Sequence, residues 1–299
     1  AGGPIMAVEN TPTKPLAPDY SVAIERLSQT IRWEVEQKSL PAFSIAITNP
    51  ERLIWSAGFG HQDAEKKIPA TGQTVYRVGS ISKLFTAISA LQLVERGILQ
   101  LDEPIQTYLP EFHPRNNFGE SITLRHLMSH LSGLVRESPV GSYFDAEEPS
   151  LSETVASLNQ TSLVYQPGTR TKYSNAAVAV VGAIVERKTS RSHPDQIQRE
   201  ILSPLEMFHT GFVTTPQFQS AKATGWMRTL DGRRFAAPDF LIGTGPAGNL
   251  YSSVDDLARL KIKFLATPQR LYGRRRAASF LGPEGELVEL IENEKAAGR

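Results

Sequence analysis

Tyr76-Arg77-Val78-Gly79-Ser80-Ile81-Ser82-Lys83-Leu84-Phe85-Thr86-Ala87 is the stretch from which the fold is best read. Val75, Tyr76 and Val78 form a short extended run into Gly79-Ser80, where a helix is expected to begin. Leu84, Ile88, Leu91 and Val94 continue one stripe at helical spacing, and Gly97 stands where a left-handed residue ends such a helix. Ser80 therefore falls in the first turn, and Lys83, three residues on, shares its face. A serine hydroxyl is a poor nucleophile until a base takes its proton. A lysine can take it only when desolvation or nearby positive charge depresses its pKa. A helix start also offers free N–H groups to a developing oxyanion. Ser-x-x-Lys alone is a weak signal, since both residues are common.

Upstream, Ile24, Leu27, Ile31 and Val35 predict an amphipathic helix that stops before Pro41. Phe43, Ile45 and Ile47 alternate with smaller or polar residues, Asn49-Pro50 turns the chain, and Leu53-Ile54-Trp55 returns it, which predicts a β-hairpin. Downstream, the signals from Asp102 to Glu200 are mainly helical, broken by loops such as Gln166-Pro167-Gly168. The apolar run Ala176 to Val185 is about half the roughly 20 residues a membrane span needs and predicts a buried helix. Tyr173-Ser174-Asn175 adds a phenol able to relay a proton and an amide able to orient a substrate or the lysine.

The segment from Tyr76 to Ala87 closely resembles the nucleophile segment of class C β-lactamase-like serine hydrolases, within the penicillin-binding-protein superfamily. The resemblance continues, in order and spacing, through Gly97 to Ile105, Ile122 to Leu134, Pro167 to Asn175 and Gly245 to Ser253, and covers roughly residues 20 to 265. It implies an α+β, β-lactamase/transpeptidase-like fold: an antiparallel sheet flanked by helices plus a helical lobe, with the site between lobes. Residues 1–18 are expected to be a flexible lead, 19–265 the hydrolase domain with its helical lobe at roughly 80–240, and 266–299 an atypical C-terminal segment. By the same resemblance Ser80 is the acylated nucleophile, Lys83 its activating partner, Tyr173 the second proton carrier and Asn175 a substrate-binding residue. The Ser80 N–H would be one oxyanion donor.

The implied activity is hydrolysis through an acyl-enzyme of ester, D-peptide or β-lactam carbonyls, with carboxylesterase or peptidase-like action ranked above lactam hydrolysis. Family members carry a third motif, Lys or His, a small or hydroxyl residue, then Gly, on a strand lining the site. None is found in the expected C-terminal region, and His209-Thr210-Gly211 has the letters in the wrong context. Beyond about Ala266 the sequence departs from the pattern, so the final strands of the sheet are expected to be incomplete. Loss of one oxyanion donor costs about 10²–10³ in rate, so weak turnover is expected. A penicillin- or peptide-binding module that reacts without releasing product is the alternative.

Rival chemistries fit less well. Gly243-Thr244-Gly245-Pro246-Ala247-Gly248 has the letters of a dinucleotide loop but contains Pro246 and lies in no βαβ pattern. His126 and His130 have zinc-pair spacing without the glutamate of a His-Glu-x-x-His site, so structural hydrogen bonding is the expected role. No Gly-x-Ser-x-Gly elbow occurs. No metal and no cofactor are expected.

Composition agrees with a globular chain: 299 residues, 40% hydrophobic and 21% charged. Lys plus Arg total 32 against 31 Asp plus Glu, a net charge of +1, which gives no footprint for nucleic acid. Arg274-Arg275-Arg276 reads as a solvated stretch. A small-molecule or short-peptide partner is expected, with no membrane span. With no cysteine there are no disulfides and no thiolate chemistry. The lead through Pro18 lacks a basic n-region and an apolar h-region, so a signal peptide has been removed or none existed. The family resemblance suggests a periplasmic or secreted location.

Overall fold

The computed structural model describes residues 19–49, 52–143, 145, 147–212 and 216–260, together with the backbone of strand residues 263–264, 269–270, 276–281 and 287–291. The chain divides after Leu40 into two compact units. The first holds helix α1, Ser21–Gln37, whose entry is fixed by the Asp19 carboxylate accepting from the Ser21 N–H at 2.9 Å. Its exit is tied by the Glu34–Lys38 ion pair, one turn apart. Ser39 then takes a left-handed conformation, φ 48°.

The second unit opens with the predicted hairpin. Strands β1, Ala42–Thr48, and β2, Leu53–Asp63, pair antiparallel with Ala42 opposite Gly60 and Ile47 opposite Trp55. The Asn49 side chain closes the turn by accepting from the Arg52 N–H at 2.8 Å. Strand β3, Ile68–Pro69, adds to β2, so the sheet runs β1-β2-β3. Among the described residues nothing pairs with the far edge of β1. The late strands instead pair among themselves. They are β8 (Lys263–Phe264), β9 (Gln269–Arg270), β10 (Arg276–Leu281) and β11 (Leu287–Ile291), with order β11-β10-β8 and β9 also on β10. Residues 265–268, 271–275, 282–286 and 292–299, which include Arg274, Arg275 and much of the stretch searched for the third motif, lie outside the described residues.

Strand β4, Tyr76–Arg77, leads through a 3₁₀ turn, Gly79–Ile81, into helix α2, Ser82–Glu95. Gly97 ends it at φ +72°, as the sequence predicts. The stretch after it departs from the mainly helical expectation. Among the described residues up to 150 its helical elements are a 3₁₀ turn, Ile105–Thr107, and the five-residue helix α3, Leu124–Met128. Its apolar residues nevertheless go inside: Leu99, Ile105, Phe112, Leu124, Leu127 and Leu134 are all buried. Loop backbone is satisfied there by side chains, as where the Asn159 carbonyl oxygen accepts from the His113 N–H at 2.6 Å. Regular helix returns with α4 (Leu151–Ser157), α5 (Asn175–Thr189) and α6 (His193–Ile197), the last widening into a π turn, Gln198–Leu202. Helix α7, Pro216–Ala221, precedes a hairpin of β5 (Trp226–Arg228) and β6 (Arg234–Ala236). Then come the single turn α8 (Gly245–Gly248), strand β7 (Tyr251–Ser252) on β4, and α9 (Val254–Leu257).

Helix α5 is the predicted buried helix, with every residue from Asn175 to Gly182 buried. Its packing positions the site. A Cβ built on Gly182 falls 2.3 Å from Pro246 Cγ, so only glycine lets α8 lie against this helix. From the other side Thr86 of α2 donates to the Pro246 carbonyl at 2.7 Å, and its oxygen lies 2.9 Å from His193 Nε2. Since the single hydroxyl proton is spent on the carbonyl, the His193 ring is the donor. Full burial holds this imidazole at about 3, neutral. The chain thus pins Pro246-Ala247 between α2 and α5.

Gly182→Ala is expected to lower stability by about 1–3 kcal/mol through overpacking, read as an earlier denaturant midpoint. His193 titrates near 6.5 in an unfolded chain, so protons favour unfolding as pH falls from there toward its folded value. Glu186 and Asp256, raised by burial, act with the opposite sign. His193→Asn is expected to flatten the acid-side loss of stability between about pH 6 and 4 in denaturation curves.

Candidate functional site

The site begins where β4 gives way to α2. Pairing of Tyr76 with Ser252 and Arg77 with Tyr251, then Val78 N–H to the Leu250 carbonyl at 3.0 Å, holds the strand to its end. Gly79 turns left-handed, φ +54°, with nothing within 4 Å of where a Cβ would stand, so the torsion and not space requires glycine. Buried Ser82 locks the turn. Its hydroxyl donates to the Gly79 carbonyl at 2.5 Å and accepts from the Leu250 N–H at 3.0 Å. Ser80 is left exposed in the 3₁₀ turn just before α2.

Three functional groups meet there. Lys83 Nζ donates to Ser80 Oγ at 3.0 Å and to the Ala247 carbonyl at 2.8 Å. The Tyr173 hydroxyl lies 2.7 Å from the same Ser80 oxygen. Burial pushes the Lys83 ammonium below the ordinary lysine range, and the Arg136 charge acts in the same direction, against Tyr173 and Glu137. For Tyr173, burial pushes the phenol up. Hydrogen bonds with Lys83 and Ser80 and the charges of Lys83 and Arg136 outweigh it, leaving the phenol below its usual value. The arrangement can pass a proton among hydroxyl, amine and phenol without moving a heavy atom.

With that geometry in place, comparison with known proteins decides the family. The Beta-lactamase family model matches residues 27–284. The chain belongs to the beta-lactamase family. It is 30% identical over 280 residues to a human protein described as putative beta-lactamase-like 1, covering 89% of this chain and 54% of that protein. The chain therefore spans about half the length of this relative. Among solved structures, the octameric penicillin-binding protein homologue from Pyrococcus abyssi is similar at TM-score 0.71 and 25% identity, over 90% of this chain and 73% of that one. EstCE1, a hydrolase with promiscuous acyltransferase activity, shares the fold at TM-score 0.67 and 22% identity, over 80% of this chain and 72% of its own. The expected β-lactamase/transpeptidase-like α+β fold is thereby borne out.

Within this beta-lactamase-family site, Asn175 is hydrogen-bonded to Glu137 and not to Ser80, Lys83 or Tyr173. It opens α5, is 3% exposed, and its Nδ2 donates to Glu137 Oε1 at 2.7 Å. An amide turned the other way would set oxygen against oxygen, so this orientation is fixed by chemistry. Asn175 Oδ1 and Glu137 Oε2 are buried without a hydrogen-bond partner.

The two histidines at zinc-pair spacing are separated in role. His126 Nδ1 accepts from the Thr123 N–H in a capping box. His130, left-handed at φ 60°, accepts from the Ser174 N–H at 3.3 Å and packs its ring on Tyr173, centroids 4.5 Å apart. Each ring thus accepts a hydrogen bond from a backbone N–H. Burial and the Lys83 charge keep His130 below the usual histidine value. The polar contacts of His209-Thr210-Gly211 go to Ser252, Asp256 and Tyr251. Thr210 lies 2.7 Å from the Ser252 hydroxyl and donates to Asp256, and Gly211 bridges to Tyr251.

Other parts of the site carry no sequence signal that reasoning could seize. Gly243 to Gly248, met as a rejected nucleotide loop, is the wall that supplies the Ala247 carbonyl. Arg136 and Glu137 follow the family-like segment Ile122 to Leu134 without belonging to it, yet the Arg136 carbonyl accepts from the Asn175 and Ala176 N–H groups at 2.8 and 3.2 Å. Arg77 donates to the Phe240 carbonyl at 2.5 Å and to Asn249 Oδ1 at 2.8 Å, fastening the rim. Beside it the Tyr143 hydroxyl stands 3.5 Å from where a Gly248 Cβ would be.

Lys83 is expected to react with an amine-modifying reagent with a pH midpoint below that of ordinary lysines, read peptide by peptide by mass spectrometry. Glu137→Gln removes the carboxylate that favours the ammonium and is expected to move the midpoint lower still. A midpoint shared with the surface lysines would contradict the desolvation.

Proposed function

We propose that this beta-lactamase-family protein is a serine hydrolase that works through an acyl-enzyme, with Ser80 as nucleophile, Lys83 and Tyr173 as proton carriers and Asn175 as a substrate-side residue. One observation carries the reading: the Lys83 amine and the Tyr173 phenol both lie within hydrogen-bond distance of Ser80 Oγ. The depressed Lys83 pKa supports it, since only the neutral amine can accept the hydroxyl proton.

Ser80 Oγ attacks the carbonyl carbon while its proton passes to Lys83, directly or through Tyr173. The Ser80 N–H serves as one oxyanion donor at the helix start. Collapse breaks the bond to the leaving group, which takes the proton back from the same pair. Water then adds to the acyl-enzyme by the same route in reverse and releases the acid. Simple esters, small amides and D-peptides rank above β-lactams as substrates. Partly exposed Tyr143, Phe240 and Leu241 give the rim an apolar surface for an acyl chain.

With a chromogenic short-chain ester, Ser80→Ala is expected to abolish turnover, and Lys83→Met and Tyr173→Phe to lower kcat/KM by about 10²–10⁴. The acid limb of kcat/KM should fall below the ordinary lysine pKa. Full turnover by Ser80→Ala overturns the proposal. One equivalent of acyl label on Ser80 with no product release would identify a binding protein instead.

A further inference from the structure

Arg136 is held over the Tyr173 ring by contacts that leave its working end unused. Its guanidinium carbon stands 5.3 Å from the centre of the Tyr173 ring. Its Nε donates to Glu137 Oε1 at 3.2 Å, and its carbonyl is fixed on the first turn of α5. Backbone, Nε and ring face thus hold the group in place, while the side chain is 65% exposed. Among the described residues its two terminal nitrogens have no hydrogen-bond acceptor, and a guanidinium fork matches a carboxylate in shape and charge.

The surrounding charges favour an anion. Lys83 and Arg136 lie over the Tyr173 ring, and Arg77, whose charge reaches neighbouring Tyr143, is bonded to neutral oxygens only. Glu137 is the one carboxylate hydrogen-bonded within this group, and its Oε1 is shared between Arg136 and Asn175. On the adjoining loop, Asp145 accepts from the N–H groups of Gly141 and Glu147, and Glu148 from that of Leu241. The Tyr173 hydroxyl is on Ser80 and its ring face is under Arg136, so a single phenol separates the cation from the nucleophile. That is the reach of a carboxylate two or three carbons from a carbonyl at Ser80.

We propose that Arg136 is a specificity-determining residue that binds a substrate carboxylate a few bonds from the scissile carbonyl, so that anionic acyl donors are preferred over neutral ones of equal length. This rests on the reading of Ser80 as nucleophile and adds to it the substrate class. Glu137 acts as the positioning residue that sets the angle of the fork.

The test compares two aryl esters with one leaving group, a half-succinate and a butyrate, together with a butyrate whose aryl leaving group bears a carboxylate. The readout is the ratio of anionic to neutral kcat/KM, which cancels any common effect on the nucleophile. Arg136→Met is expected to lower that ratio about tenfold for one of the anionic esters, with Arg136→Lys intermediate. In the unaltered protein the ratio should shrink as salt rises. An unchanged ratio for both anionic esters overturns the proposal. Calorimetric binding of an aryl succinamate to Ser80→Ala protein, with and without Arg136→Met, separates the two claims. Charge-selective binding without turnover by the unaltered protein retires the nucleophile and keeps the anchor, whereas turnover without charge selectivity retires the anchor alone.

Discussion

The ammonium of Lys83, shared between the Ser80 hydroxyl in the turn just before its own helix and the Ala247 carbonyl 164 residues away in sequence, is the contact on which the rest turns. Taking a charge half out of water costs several kcal/mol unless oxygens replace the lost solvent. The carbonyl must therefore be delivered accurately, and much of the second unit can be understood as doing that. Gly182 lets Pro246 approach α5, and Thr86 binds the same proline from α2. Asn249 closes the turn on Ile242, donating to its carbonyl at 2.8 Å and accepting from its N–H at 3.1 Å. Displace any of these and the amine loses a partner while remaining desolvated.

Tyr173 is the second focus because three cationic or ionisable groups converge on one ring. Lys83 Nζ is 4.9 Å from its centre, the Arg136 guanidinium 5.3 Å, and the His130 ring stacks at 4.5 Å. A ring presents electron density to cations, which is one reason an exposed arginine and a half-buried lysine can share so small a space. Glu137 moderates the accumulated charge and ties it to the start of α5 through Asn175.

Local pattern made much of this legible. Period-two alternation and Asn49-Pro50 located the hairpin, the stripe from Leu84 to Val94 located α2, and unbroken apolarity from Ala176 to Val185 located the central helix. Ser80, Lys83 and Tyr173 were legible as chemistry, and the structure brings them together. The region from Asp102 to Ser150 was misread as helical because apolar residues in an irregular loop, buried by long-range packing, imitate helical spacing. Ala247 escaped notice because its contribution is a backbone carbonyl, which every residue has. Arg136 and Glu137 escaped because a charged pair on a loop looks like solvent-facing surface until α5 is docked beneath it.

The partners of this site are far apart along the chain. Ser80 meets Tyr173 across 93 residues, Ser82 meets Leu250 across 168, and Arg77 meets Asn249 across 172. Contacts of such separation close late, since loop entropy is spent before they reward it. During synthesis the hydroxyl and amine of one helical turn emerge early but remain an ordinary solvated pair. The lysine gains its buried carbonyl partner only once the residues around Ala247 have been made and docked, so the environment that sets its pKa is among the last parts of the second unit to be completed.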